Sequence, residues 1–246
     1  MTAPVFVVEH FDAGGGGRYV LDGPEGRHAV SVKRLRAGED VVLTDGAGRW
    51  ADCVVLDTEG KDRLILQLDS VSEEPAEQPR VTVVQALPKG DRGELAVETM
   101  TEVGVDAIVP WAAARCITQW KGDRGVKALG KWRATAREAG KQSRRVRFPE
   151  VAEAVTTKQV AALLAGADFA AVLHESGDEP LATAELPATG DIVLVVGPEG
   201  GVAPEELALF EEAGAQAYRL GRSVLRTSTA GTAAAAVLLA RTGRWS

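Results

Sequence analysis

The sequence predicts an α/β protein, a parallel sheet covered by helices, preceded by a small and mostly β domain. Three observations predict it. From Val81 onward, apolar segments of strand length alternate with segments of helical periodicity, which is the pattern of a parallel sheet with helices on both sides. The run VTVVQAL at 81–87 is apolar throughout, as a strand buried on both faces has to be. Before residue 72, by contrast, short strand-like segments follow one another with glycine turns between them.

The first seventy residues read as strands over Val5–Val8, Val41–Leu43, Trp50–Leu56 and Leu64–Leu68, separated by glycines at 14–17, Asp45-Gly46 and Glu59-Gly60. Only Arg27–Leu35 has helical spacing. Short, evenly spaced strands predict a barrel. The glycine run at 14–17 reads as a hairpin connection, because no helix pattern and no Lys-Ser/Thr follow it as a phosphate loop requires. Val71–Arg80 (VSEEPAEQPR) combines two prolines with acidic residues and has no periodicity, so it reads as a linker. The domains are then 1–72 and 81–246, joined by 73–80.

In the second domain Gly93–Val103 reads as a helix, Val105–Pro110 as a strand, and Gly125–Gln142 and Thr157–Ala165 as helices. Phe169–His174 and Ile192–Val196 read as strands, Pro204–Ala213 as a helix, Ala217–Leu220 as a short strand and the alanine-rich Thr227–Arg241 as a helix.

The 246 residues are 45% hydrophobic and 26% charged with a net charge of −7, which excludes disordered and fibrous classes and argues at first against an anionic partner. The charge is uneven. Residues 1–75 hold 8 basic and 14 acidic side chains, 76–150 hold 14 and 9, and 151–246 hold 6 and 12. Lys121–Arg147 carries ten basic residues against Asp123 and Glu138. Lys127, Lys131, Arg137, Lys141 and Arg144 recur at helical spacing while Trp132 and Ala136 can face inward, so one side is cationic and suited to an anion.

Cys53 and Cys116 show neither zinc-ligand spacing nor a disulfide framework, and no metal-ligand pattern occurs. Without a signal peptide or an 18-residue apolar run, the expectation is a reduced, cytoplasmic setting with no membrane span and no metal.

The strongest candidate site is DIVLVVGPEGGVAPEELALF at 191–210. An apolar strand runs into Gly197-Pro198-Glu199-Gly200-Gly201, and a helix opens at Pro204. Glycines at the carboxyl end of a parallel strand let a ligand approach the backbone, and that edge is where open α/β sheets bind ligands. It is neither a G-x-G-x-x-G fingerprint nor a P-loop. Glu199 would repel a phosphate and suits a cationic or hydroxyl-bearing ligand. In the second candidate, Arg226 follows the strand end Leu220-Gly221, and Thr227–Thr229 stand where a helix N-cap belongs. An arginine there can hold an anionic or developing negative group. His10, His28 and His174 are unclustered, and His174 ends a strand on the same sheet edge.

These residues carry a resemblance. Gly197–Gly201, Leu220-Gly221, Leu225-Arg226-Thr227 and Thr229-Ala230, preceded by Gln142, Arg145, Arg147 and Pro149, resemble the 16S ribosomal RNA uracil-N3 methyltransferase family of the SPOUT superfamily. It extends to His28, Val32, Arg34 and Asp45-Gly46 in the amino-terminal domain, and to Leu87–Gly90, Glu102–Gly104 and Arg115-Cys116 in the second. The resemblance implies a PUA-like barrel, a SPOUT domain with a carboxyl-terminal trefoil knot, S-adenosylmethionine as methyl donor, and a homodimer acting on 16S rRNA of the small ribosomal subunit. It places the cofactor among Leu173, His174, Gly197, Glu199, Gly200, Gly201, Leu220, Gly221, Val224, Leu225 and Thr229. Arg226 is the candidate for charge stabilisation, with Glu199 or a water as proton acceptor. Lys33, Arg34, Arg36, Gln142, Arg144, Arg145 and Arg147 are the candidate RNA contacts. The chain departs from the family pattern at Ser228, often Glu, at Arg222-Ser223, often Pro-Arg, and at Lys141, often Glu. Two other readings stay open: a non-catalytic RNA-binding assembly factor, and a nucleotide-dependent α/β enzyme acting on a small molecule.

Overall fold

A computed structural model describes residues 3–10 and 16–245. Gly14 and Gly15 of the expected hairpin connection lie outside the described residues. The chain forms two compact units, one running up to Ala76 and including Gly140–Phe148, the other comprising Glu77–Ala139 and Pro149–Ser246.

The first unit contains β1 (Val5–Val7), β2 (Arg18–Leu21), α1 (Gly23–Arg27), a π-helical turn over His28–Lys33, β3 (Asp40–Thr44), β4 (Arg49–Glu59) and β5 (Arg63–Glu73). The strands pair in the order β1-β3-β4-β5-β2, so the expected barrel is an open half-barrel with β1 and β2 at its edges. Its core collects alternate residues of the strands, Phe6, Val41, Leu43, Ala51, Cys53, Val55, Leu64 and Leu66, each at most 2% exposed. Arg18–Leu21 is a strand absent from the sequence reading. The helical segment expected at Arg27–Leu35 begins earlier, at Gly23, and widens into a π turn that ends at Arg34 with φ 58°. The linker is also shorter than expected, because β5 continues to Glu73 while Ala51, Asp52, Trp50 and Arg49 of β4 still pair with it.

Gly140–Phe148 was read from the sequence as part of the second domain. Two bonds to Val146 come from the first unit: the Thr44 hydroxyl donates to the Val146 carbonyl, and Gly48 N–H donates to the same oxygen at 3.0 Å. The Lys141 ammonium, 8% exposed, donates to both carboxylate oxygens of Glu25 at 2.9 and 3.1 Å. Lys141 is therefore taken off the cationic face and stands as a buried counterion.

Cys53 is buried, and burial first, then Asp69 and Asp52, push its thiol up to about 12. The folded chain keeps this proton where an ordinary thiol near 9.0 loses it, so the stability it lends below that value declines as pH rises through the window between the two. At pH 8, iodoacetamide should leave Cys53 unmodified in the native chain and label it after denaturation, as read by peptide mass mapping. Equal labelling in both states would contradict this.

The second unit contains β6 (Arg80–Ala86), α2 (Arg92–Val103), β7 (Ala107–Trp111), α3 (Gly122–Gln142, its last residues in the first unit), β8 (Glu150–Val151) and α4 (Thr157–Ala165). It continues with β9 (Phe169–Leu173), β10 (Glu179–Pro180), β11 (Asp191–Val196), α5 (Pro204–Glu212), β12 (Gln216–Arg219) and α6 (Thr227–Arg241). The seven strands are parallel in the order β10-β12-β9-β11-β6-β7-β8. Strand β11 shows why its sequence is apolar throughout. Ile192, Leu194 and Val196 join one core with α2, α3 and α6, while Val193 and Val195 join the other with α4 and α5. Trp132 and Ala136 of α3 are buried in the first of these cores, as the helix pattern requires. Among the described residues no helix is long and apolar enough to cross a membrane, and no cluster of three or more His, Cys, Asp or Glu could hold a metal.

Candidate active site at the carboxyl edge of the parallel sheet

Strands β9, β11 and β12 end side by side, and the loops leaving them enclose a cavity of about 510 Å³. Leu173 ends β9 and His174 follows it, Gly197–Val202 follow β11, and Leu220–Arg226 follow β12; all line it, with Arg92 and Arg115 from two other connections. Among the residues read from the sequence, Leu173, His174, Gly197, Glu199, Gly200, Gly201, Leu220, Gly221, Val224, Leu225 and Arg226 line this cavity. Thr229 does not. Its amide and hydroxyl both donate to the Arg226 carbonyl, so it closes the first turn of α6.

The glycine loop has a local reason for its composition. A Cβ on Gly200 would stand 3.2 Å from the Arg115 Cβ, and Gly201 has φ +75°, a conformation side chains rarely adopt. Arg115 donates from Nη1 to the Gly200 carbonyl at 3.0 Å. One residue earlier, Ala114 N–H donates to Glu206 Oε1 at 2.8 Å. That buried carboxylate also accepts from the Thr157 hydroxyl at 2.8 Å and from Ala203 N–H at 3.2 Å. The turn at 113–116 thus braces both ends of the 197–206 segment. Glu199 is exposed and accepts from Lys89 N–H at 3.1 Å, which ties the connection after β6 to the same loop.

Two other lining groups are set by their neighbours. Ser176 N–H donates to His174 Nδ1 at 3.2 Å, with the Ser176 hydroxyl 2.7 Å from the same nitrogen. An Nδ1 that accepts puts the imidazole proton on Nε2. Burial, then Glu179, raises the Tyr218 phenol above its ordinary value, so it stays protonated near neutral pH. The expected threonine cap of α6 is a correction. Arg226 is the N-cap residue through its backbone, with Thr227 and Ser228 buried in the first turn, and the Arg226 side chain makes no capping bond.

The seven candidate RNA contacts all belong to the first unit, although the sequence placed them in two domains. Lys33, Arg34, Arg36, Gln142 and Arg144 are exposed, and Arg145 is half-buried. Arg147 is committed elsewhere: its Nε and Nη2 donate to the Glu74 carbonyl at 3.0 and 2.6 Å. Arg92 and Arg115 are cavity residues that the sequence reading did not include in the site. Each sits in a connection far from the glycine loop, and only the pairing order brings them to it.

A glycine loop with an internal carboxylate, rimmed by arginines at the carboxyl edge of a parallel sheet, defines an α/β ligand-binding domain equipped for an anionic partner. A model described as RNA methyltransferase domain matches residues 75–239, and one described as RNA methyltransferase PUA domain matches residues 21–69. The chain belongs to the RNA methyltransferase family. Ribosomal RNA small subunit methyltransferase E of Mycobacterium bovis is 46% identical over 230 residues, covering 92% of this chain and 87% of that one. The structure of the ribosomal RNA small subunit methyltransferase E from Neisseria gonorrhoeae bound to S-adenosylmethionine matches with a TM-score of 0.85 at 28% identity, covering 98% of each chain. A methyltransferase from Legionella pneumophila in complex with S-adenosylmethionine matches with a TM-score of 0.84 at 27% identity, also over 98% of each chain.

Proposed function

We propose that the chain transfers the methyl group of S-adenosylmethionine to N3 of a uridine in 16S rRNA of the small ribosomal subunit. The observation that carries this reading is the cavity formed by three strand-end loops in a chain 46% identical to a ribosomal RNA small subunit methyltransferase E. The residues present fit the cofactor. A cavity of about 510 Å³ falls in the range of small-molecule sites, roughly 300–1,000 Å³. Gly221, where a Cβ would meet nothing within 4 Å, leaves backbone open to a ligand, and the Glu199 carboxylate suits a cationic group.

When bound, S-adenosylmethionine supplies an electrophilic methyl group on a sulfonium. Leu173, His174, Gly197, Gly200, Gly201, Leu220, Gly221, Val224 and Leu225 would hold it, with the His174 Nε2–H as a donor. Uracil N3 carries a proton and is a weak nucleophile while neutral, so the protein has to favour the anion and align it. Arg226 would stabilise the negative charge that develops on the uracil oxygens, and the proton would leave to Glu199 or a water. Lys33, Arg34, Arg36, Gln142, Arg144 and Arg145 would hold RNA. Arg147, bound to the Glu74 carbonyl, would support that surface rather than bind. The trefoil knot and the homodimer implied by the family resemblance, and the cytoplasmic setting expected from the cysteine pattern, belong to the same reading.

Thermal unfolding tests the cofactor assignment. S-Adenosylmethionine at about 100 times its Kd should stabilise the chain by about 2.7 kcal/mol, whereas NAD and ATP should not. Stabilisation by either nucleotide and not by S-adenosylmethionine would overturn the reading.

A further inference from the structure

Arg92 is a half-buried arginine that lines the cavity at the first helical position of α2. A cation there faces the positive end of the helix dipole, which is electrostatically unfavourable without a compensating anion. Asp91 and Glu94 are its acidic neighbours in sequence, yet among the described residues neither pairs with its guanidinium, and Asp91 makes no side-chain cap bond. Two other lining arginines are engaged: Arg115 binds the Gly200 carbonyl, and Arg219 binds the Gly177 carbonyl at 3.3 Å.

Its place in the sheet says what it waits for. The proposed cofactor loops leave β9, β11 and β12, whereas Arg92 comes from the connection after β6, on the flank of β11 opposite β9. Lys89 N–H, three residues before it, binds Glu199, so this connection borders the glycine loop from outside the cofactor side. We infer that Arg92 binds a phosphodiester of the RNA strand at the target nucleotide, on the flank where the second substrate meets the methyl donor. This rests on the methyl-transfer reading above. A phosphate and the cofactor's own carboxylate share the chemistry a guanidinium recognises, and the experiment separates them.

Arg92→Ala and Arg92→Lys variants of the full chain would be compared with wild type in two measurements. Calorimetry gives the Kd for S-adenosylmethionine, and fluorescence anisotropy gives the Kd for a labelled uridine-containing small-subunit rRNA fragment across a salt series with S-adenosylmethionine present. The expected result for Arg92→Ala is an RNA Kd about tenfold weaker at low salt and a log Kd against log salt slope smaller by about 0.7, one phosphate on a single strand. Its cofactor Kd should stay within about twofold, and Arg92→Lys, which keeps the point charge, should recover most of the slope. A cofactor Kd weakened in Arg92→Ala with RNA binding unchanged would overturn the inference and assign the guanidinium to the cofactor's carboxylate. Unchanged values in both measurements would also overturn it. Failure of wild type to bind S-adenosylmethionine would instead overturn the parent reading, while the RNA slope still reports on Arg92.

Discussion

Arg226→Ala should lower kcat for methyl transfer about 100-fold or more while leaving the Kd for S-adenosylmethionine within about threefold, the scale seen when a preorganised donor to developing negative charge is removed. The structure separates chemistry from folding at this residue. Arg226 caps α6 with its carbonyl, which accepts from Thr229 and Ala230 N–H at 2.9 Å each, and its exposed side chain lines the cavity. Alanine keeps the carbonyl, so the melting temperature should be nearly unchanged. Single-turnover kinetics with saturating donor read the effect on the chemical step. A variant with wild-type kcat would remove the role.

The second large effect concerns stability. The Arg244 side chain, 3% exposed, donates to both oxygens of Asp106, to Glu77, and to the Pro79 and Gly104 carbonyls. Burial lowers its affinity for a proton, but the bonds to Asp106 and Glu77 more than offset that, so the guanidinium stays charged. Asp106 in turn accepts from Val81 N–H at 2.8 Å at the start of β6. One residue at the end of the chain therefore ties the last helix to the first strands of the sheet. Arg244→Ala leaves Asp106, 20% exposed, without its countercharge, and breaking such a pair costs about 3–5 kcal/mol. At roughly 2–4 °C per kcal/mol for a chain of this size, the melting temperature should fall by roughly 6–20 °C. Arg244→Lys, which keeps charge but loses the fork, should fall between. A melting temperature within a degree of wild type would contradict the clasp.

These two residues also show what could be read in advance. Arg226 was legible because it follows Leu220-Gly221 and precedes a helix, and local punctuation places such a residue at the sheet edge without tertiary information. The same holds for Gly197–Gly201 behind an apolar strand. Arg244 was not legible, because its partners lie about 140 and 167 positions earlier. Charge counting failed for the same reason at Lys141, whose partner Glu25 is 116 residues away, and at Arg147, bound to a carbonyl 73 residues away. Counted as charges they belonged to a basic stretch, but their partners make them structural. Arg92 and Arg115 entered the site through the order β9-β11-β6-β7, which periodicity cannot supply. The short strand Arg18–Leu21 was missed because four residues after a glycine run carry too little alternation, although its pairing with β5 completes the half-barrel.

The most direct test of methyl transfer to uridine is incubation of the purified chain with isotope-labelled S-adenosylmethionine and small-subunit rRNA or subunits, followed by nuclease digestion and mass spectrometry of the nucleosides. Label is expected in 3-methyluridine at a single site, reduced about 100-fold or more by Arg226→Ala. Label in another nucleoside, or no label under conditions where the chain binds both cofactor and RNA, would contradict it.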